Sequence, residues 1–123
     1  MIVGLGVDVV DLARFARAMD RTPRLAPRLF TDRERSREGE ARGAASLAAR
    51  FAAKEATMKA LGAHAVSRWL EIEIVQDALG EPSVRLAGDA ARVAADRGVG
   101  RLHVSMSHDG GVAMATVIAE ASA

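Results

Sequence analysis

Charged side chains are concentrated in residues 50–61, a stretch otherwise rich in alanine and larger apolar residues. On a helix with about 100° per residue, the larger apolar side chains form one stripe, and Lys54 lies within it. Arg50 lies on one flank of this stripe, and Glu55 and Lys59 lie on the other. The opposite side is almost all alanine, which predicts a buried helix. Because a buried charge is costly without a partner or ligand, the cluster indicates a functional site. The alternative is an ordinary surface helix with a Glu55–Lys59 pair worth about 0.3–0.5 kcal/mol.

A second candidate site lies near the N-terminus, where residues 2–10 alternate as a strand. One face, predicted to contact the core, consists of Val3, Leu5, Val7 and Val9. The other face carries Gly4, Gly6 and Asp8, and two glycines beside a carboxylate indicate close approach of a ligand or of another backbone. The alternative is that the glycines only ease the twist of the strand.

A third candidate is Ser105-Met106-Ser107-His108, which precedes the hairpin turn Asp109-Gly110-Gly111. His108 could orient a phosphate or move a proton, or it could be a plain surface residue. Together with two carboxylates, Asp8 and Glu55, and no metal-binding cysteine or histidine spacing, the pattern favours Mg²⁺ or Mn²⁺. Lysines and Arg50 suit phosphate oxygens. The residues therefore predict Mg²⁺-dependent phosphoryl chemistry.

Composition narrows the class of protein. The 123 residues predict a single domain, 1–123, and the net charge of +1 does not indicate a partner. The absence of cysteine excludes disulfides, thiol catalysis and Cys-ligated zinc, and fits a reducing compartment. The sequence contains no apolar run of about 18 residues, so no membrane span is predicted. Asp8 interrupts the short apolar N-terminus, which argues against a signal peptide. We expect a cytoplasmic protein that binds no membrane.

The remaining elements predict an α+β fold in which one long buried helix packs against an antiparallel sheet of about five strands. Helices are predicted at 12–20, capped by Asp11, from a cap-like start at Thr31, at 44–61 ending before Gly62, and at 88–97. Strands are predicted at 2–10, 69–77, 83–86, 101–108 and 112–119, and a polar loop at 35–43.

The region from the predicted helix at 12–20 to the predicted cap at Thr31 is strongly basic. It carries Arg14, Arg17, Arg21, Arg24 and Arg28. Such a surface indicates an acidic partner, either a protein or a nucleic acid, or else it is simply solvated. Few aromatic residues are available to stack on bases, which disfavours nucleic acid. A basic adaptor for acidic proteins or RNA therefore remains an alternative to an enzyme.

Three motifs resemble those of the holo-acyl-carrier-protein synthase family, the short type of 4′-phosphopantetheinyl transferase. They are Gly6-Val7-Asp8-Val9-Val10-Asp11, the pair Arg50-Phe51-Ala52-Ala53-Lys54-Glu55-Ala56 and Lys59-Ala60-Leu61-Gly62, and Ser105-Met106-Ser107-His108. The turn Gly80-Glu81-Pro82 before a strand also resembles the family. The resemblance covers essentially the whole chain in length, order and spacing.

The resemblance implies transfer of 4′-phosphopantetheine from coenzyme A to a serine of an apo acyl carrier protein, which releases adenosine 3′,5′-bisphosphate. It implies that Asp8 and Glu55 hold Mg²⁺ and that Lys59 contacts the diphosphate. It places Arg50, Lys54, Pro82, Ser107 and His108 along the coenzyme A cleft. Either Glu55 or a metal-bound water would activate the serine. Lys54 is expected to pack its stem and to extend its ammonium into the cleft.

The resemblance also implies a homotrimer with active sites between protomers, in which the alanine face and the glycine surface pack closely or line an interface. Arg14, Arg21 and Arg24 match a basic helix that docks the acidic recognition helix of the carrier protein. The chain departs from the family pattern at three places. Glutamate is more common at the position of Asp11, small or hydroxyl residues at Ala63-His64, and threonine at Asp109. Another Mg²⁺-dependent phosphate-transfer or hydrolysing enzyme remains a further alternative.

Overall fold

A computed structural model of the chain describes residues 1–62 and 68–123. The departure from the family pattern at Ala63-His64 lies outside the described residues. In chain order the elements are β1 (Ile2–Asp11), α1 (Leu12–Arg21), α2 (Leu25–Leu29), α3 (Asp32–Arg35), β2 (Ser36–Arg37), β3 (Glu40–Ala41), α4 (Ala44–Leu61), a 3₁₀ turn (Trp69–Glu71), β4 (Ile72–Gln76), β5 (Pro82–Leu86), α5 (Gly88–Asp96), β6 (Val99–Asp109) and β7 (Val112–Ala121).

The main layer is an antiparallel sheet in the order β1-β7-β6, and α4 packs across it. Strands β4 and β5 form a separate antiparallel pair, and β2 and β3 form a short hairpin. The predicted α+β class with one long buried helix is confirmed. The five longer strands are divided into a group of three and a group of two.

Helix α4 is held against β1 by a contact between two backbones. Gly4 and Gly6 face the helix, and a Cβ on either one would collide with the carbonyl oxygen of Ala60 or of Ala56. Ala52, Ala56 and Ala60 are buried, so small side chains on the helix meet absent side chains on the strand. The close approach of another backbone to this strand, predicted from the glycines, is confirmed.

The prediction of which face of β1 contacts the core was wrong. Val3, Leu5, Val7 and Val9 are 44%, 65%, 48% and 56% exposed in the single chain, whereas Gly6 and Val10 on the other face are buried. Strand alternation separates two faces but does not say which of them is covered. Here the glycine face is covered because it lets a helix approach more closely than a valine face would.

Local signals located most of the helix ends correctly. The Asp11 carboxylate accepts the backbone N–H of Arg14 at 2.8 Å at the start of α1. Thr31 and Glu34 form a complete capping box at the start of α3. Helix α4 has the predicted bounds and ends before Gly62, whose φ of 101° favours glycine.

Helix α2 and strands β2 and β3 were missed, and residues 69–71 were placed in a strand although they form the 3₁₀ turn. Helix α2 contains Pro27, but the proline lies in the first turn, where its missing N–H is not needed. The β2–β3 hairpin turns at Glu38 and Gly39, with φ values of 52° and 83°. Glutamate rarely adopts a positive φ, so the sequence carries no clear signal for this turn.

Replacement of Gly6 by alanine tests the contact between β1 and α4. We expect Gly6→Ala to lower the free energy of unfolding by about 3 kcal/mol, because the new methyl group displaces a backbone rather than a flexible side chain. Urea unfolding followed by circular dichroism measures the change. The matched control is Gly43→Ala, where a Cβ meets nothing within 4 Å and the expected change is below about 1 kcal/mol. Equal losses in the two variants would contradict the argument.

Candidate active site

Asp8 and Glu55 come together where β1 crosses α4. Asp8 lies on the same face of the strand as the two glycines, so its side chain points at the helix and is only 11% exposed. Its Oδ2 atom is buried and has no hydrogen-bond partner. Lys59, one turn after Glu55 on α4, donates to Val7 O at 2.9 Å and lies 3.3 Å from Asp8 Oδ1. The predicted grouping of Asp8, Glu55 and Lys59 is therefore present.

The electrostatics of this pair favour a bound cation. Burial, followed by the adjacent Asp8 carboxylate, raises the pKa of Glu55 to about 7, and Lys59 opposes the increase only weakly. The repulsion and the unpartnered Asp8 oxygen would both be relieved by a positive ion. Within residues 1–62 and 68–123 no cluster of three or more potential metal-binding side chains occurs. Two carboxylates, completed by water and phosphate oxygens, fit a hard cation such as Mg²⁺.

An apolar cavity of about 370 Å³ opens beside these carboxylates. It lies between the segment that holds α1 and α2 and the helix α4, and its apolar walls include Phe15, Leu25, Leu29 and Phe51. Arg14 also lines the cavity. The cavity thus joins the carboxylate pair to the basic surface of α1.

Arg50, Ser107 and His108 meet in a different cavity, of about 230 Å³. Arg50 is 3% exposed and donates from Nη1 to Ser46 Oγ at 2.9 Å and from Nη2 to Gln76 Oε1 at 2.7 Å. Burial, then the nearby Arg42 guanidinium, lowers the pKa of Arg50 to about 10. The sequence analysis singled out Arg50, Ser107 and His108, and the structure places these three residues together.

The same cavity is lined by residues that the sequence did not single out, namely Arg37, Arg42, Ser46 and Gln76. Arg37 is the last residue of β2 and Arg42 directly follows β3, within the segment predicted to be a polar loop. Burial, followed by Arg37, lowers the pKa of Arg42. The density of arginine in residues 33–42 was the one available signal, and without the hairpin nothing directed these side chains towards Arg50.

The predicted coenzyme A residues do not all meet within one chain. Pro82 lines a third cavity, of about 380 Å³, together with Arg101 and His103. Among the described lining residues, none is shared between the cavity of Asp8 and Glu55 and the cavity of Arg50 and His108. A single chain therefore presents the two groups as separate half-sites.

Lys54 corrects one expectation. Its side chain is fully buried, and its Nζ atom lies 2.7 Å from Glu34 Oε1, 3.0 Å from Trp69 O and 5.4 Å from the centre of the Phe30 ring. Its ammonium therefore does not reach a cleft. Glu34 also accepts the backbone N–H of Ile74 at 2.9 Å, so this ion pair ties α3, α4 and β4 together. The sequence presented Glu34 only as a cap residue.

The predicted docking residues form an exposed basic surface. Arg14, Arg21 and Arg24 are all exposed, on α1 and in the turn that follows it. Asp109, a departure from the family pattern, accepts the N–H of Gly110 at 2.8 Å in the β6–β7 turn.

Comparisons with known proteins identify the family of this chain. The family model of the 4′-phosphopantetheinyl transferase superfamily matches residues 4–117. The chain belongs to that superfamily. It is 58% identical to the holo-[acyl-carrier-protein] synthase of Clavibacter michiganensis subsp. michiganensis over 123 residues, which is 100% of this chain and 99% of the relative.

Solved structures of holo-[acyl-carrier-protein] synthases are similar to this chain over almost its whole length. The holo-[acyl-carrier-protein] synthase of Neisseria meningitidis is 33% identical, with a TM-score of 0.86 over 98% of this chain and 99% of that one. The Helicobacter pylori enzyme, solved in complex with coenzyme A, is 26% identical, with a TM-score of 0.79 over 94% and 99%. No helix in the described part of this chain is long and apolar enough to cross a bilayer.

The raised pKa of Glu55 predicts a pH dependence in metal-free protein. The folded-state pKa of about 7 exceeds the ordinary value of 4.5, so the stability contributed by protonated Glu55 is present below about pH 4.5 and is lost as the pH rises through 7. Relative to Glu55→Gln, the wild type should lose about 1–2 kcal/mol of unfolding free energy across that range, after allowance for solvent screening. Urea unfolding in EDTA measures it. Parallel pH profiles would contradict the argument.

Proposed function

We propose that this protein transfers 4′-phosphopantetheine from coenzyme A to a serine of an apo acyl carrier protein in an Mg²⁺-dependent reaction. The products are the holo carrier protein and adenosine 3′,5′-bisphosphate. The observation that carries the proposal is the Asp8–Glu55 pair, with its unpartnered buried oxygen and raised Glu55 pKa. The family and the full-length likeness to holo-[acyl-carrier-protein] synthases support it.

In the proposed reaction Asp8 and Glu55 hold the metal ion, and Lys59 is the adjacent cation for the diphosphate. When bound, Mg²⁺ would neutralise the charge that builds on the diphosphate as the bond to the leaving phosphate breaks. Lys59 is 52% exposed, so its ammonium is free to contact a ligand as well as Asp8. Glu55 would be one candidate to take the proton of the attacking serine hydroxyl, and a water held by the metal ion would be the other.

The carrier protein would dock on the basic surface of Arg14, Arg21 and Arg24. Exposed charges of one sign steer an acidic partner and orient it more than they tighten the complex. Arg14 lines the apolar cavity next to the carboxylates, so a partner bound to α1 would lie beside the metal site. This arrangement supports a protein acceptor over the alternative of a basic adaptor without catalysis.

We further propose that active sites form between the protomers of a homotrimer. Val3, Leu5, Val7 and Val9 on β1, with Met114 on β7, expose an apolar sheet face. Because such a face on a soluble protein is usually covered, it supports association of copies of this chain. Association would also explain the separate half-sites, since Asp8 and Glu55 of one protomer could then meet Arg50, Ser107 and His108 of the next.

Intact-mass measurement of an apo carrier protein tests the reaction. Incubation with this protein, coenzyme A and Mg²⁺ should add one phosphopantetheine group, and EDTA should prevent the addition. Asp8→Ala and Glu55→Ala should each lower the rate by at least about 100-fold while the fold survives, because each removes a metal ligand. The control Asp96→Ala alters an exposed carboxylate on α5 and should keep the wild-type rate.

The same assay separates the alternatives. A hydrolase would release adenosine 3′,5′-bisphosphate from coenzyme A without any acceptor protein. An adaptor would bind the carrier protein and leave its mass unchanged. Either result would overturn the proposed transfer.

Mixed assemblies test the intersubunit site. Asp8→Ala and His108→Ala chains should each be nearly inactive alone. After co-refolding, random mixing should restore up to about a quarter of the sites, because an Asp8→Ala chain still supplies His108 and a His108→Ala chain still supplies Asp8. The transfer assay, with size-exclusion chromatography and light scattering, measures the recovery. Mixing Asp8→Ala with Glu55→Ala is the control and should recover nothing, since both changes damage the same half-site. A trimer without recovery would contradict the proposal.

A further inference from the structure

Gln76 connects the buried Arg50 and the partly buried Arg42 in the cavity that also holds His108. Its Oε1 atom accepts from Arg50 Nη2 at 2.7 Å and from Arg42 Nη2 at 3.4 Å. Its Nε2 atom donates to Gly80 O at 3.0 Å. Because that carbonyl accepts only from the amide nitrogen, the side-chain orientation is defined and the oxygen faces the arginines. Gln76 is thus the acceptor placed between two like charges.

The cavity has cationic groups and a shortage of acceptors. Arg37, Arg42, Arg50 and His108 line it, and none of its described lining residues is acidic. The Nε atoms of Arg42 and Arg50 are buried and have no hydrogen-bond partner. The nearest buried carboxylate, that of Glu34, is already paired with Lys54 at 2.7 Å. Buried donors without acceptors are costly, so the cavity is suited to an anion.

A neutral acceptor at position 76 serves such a cavity better than a charged one. An amide oxygen orients a guanidinium through a hydrogen bond and leaves its full charge available. A carboxylate in the same place would form charge-assisted bonds with both arginines and neutralise one of their two positive charges. The protein would gain stability from that exchange, and an anionic ligand would lose attraction.

We propose that Gln76 is a positioning residue that holds Arg50 and Arg42 in place for a phosphate-bearing ligand while leaving their charges uncancelled. The inference deepens the proposed function, on which it rests for the identity of the ligand: a phosphate of coenzyme A or of adenosine 3′,5′-bisphosphate. In this proposal Gln76 does not contact the reacting atoms.

Three variants separate positioning from simple structural support. Gln76→Glu adds a carboxylate of nearly the same shape, Gln76→Met removes the acceptor at similar volume, and Ala95→Glu adds the same charge on the exposed side of α5. Titration calorimetry with adenosine 3′,5′-bisphosphate, without acceptor protein, measures ligand affinity. Thermal unfolding without ligand measures stability. The transfer assay supplies kcat and the KM for coenzyme A.

We expect Gln76→Glu to weaken binding of the bisphosphate by at least about tenfold and to leave Tm equal to or above that of the wild type. The KM for coenzyme A should rise to a similar extent, with kcat within about twofold. Gln76→Met should lower Tm and weaken binding less than Gln76→Glu, because it frees the guanidinium groups without cancelling their charge. Ala95→Glu should change neither quantity.

Unchanged affinity in Gln76→Glu, or affinity and Tm that fall together, would overturn the inference. Pyrophosphate is a second probe, which separates the inference about Gln76 from the proposed function. If the wild type binds pyrophosphate but not adenosine 3′,5′-bisphosphate, and Gln76→Glu weakens the pyrophosphate complex, then Gln76 acts as inferred and the proposed function fails. If the wild type binds neither probe, both are wrong.

Discussion

The contact between the glycine face of β1 and the alanine face of α4 is the constraint on which the candidate site depends. With no side chain at Gly4 or Gly6, the helix backbone lies directly against the strand. That proximity turns Asp8 towards Glu55 and Lys59, residues 47 and 51 positions away in sequence. A Cβ on the strand would move the helix outward and separate the two carboxylates. The site is therefore a consequence of close packing, and packing of this kind tolerates little change of volume.

In the described part of the chain, charged side chains are grouped and wholly or partly buried in three places, and the charge balance differs between them. Glu34 and Lys54 neutralise each other, with the backbone groups of Ile74 and Trp69 satisfying what remains. Burial, followed by the adjacent Asp8 carboxylate, raises the pKa of Glu55. Burial lowers the pKa values of Arg42 and Arg50, followed by a neighbouring guanidinium, that of Arg37 for Arg42 and that of Arg42 for Arg50. A balanced pair needs no ligand, whereas each of the other two groups would be balanced by an ion of opposite sign.

This contrast explains why Lys54 and Glu55, adjacent in the chain, have unrelated roles. Successive residues on a helix point about 100° apart. Lys54 therefore faces α3 and the turn at Trp69, and Glu55 faces β1. The resemblance to the transferase family grouped both with the site because both lie in one motif. Burial and partner, not position in the motif, separate the structural residue from the functional one.

The sequence by itself determined the α+β class and most helix ends. It also indicated the candidate site residues Asp8, Glu55, Lys59, Arg50, Ser107 and His108. Caps, glycines and periodicity are local signals, and they identify elements because helix ends and turns are stabilised by nearby residues. Only the tertiary structure decided which face of β1 is covered, that Glu34 pairs with Lys54, and that Arg42 and Gln76 join Arg50. It also divided the site residues among separate cavities. Each of these depends on contacts between distant segments, and no local pattern encodes the distance between them.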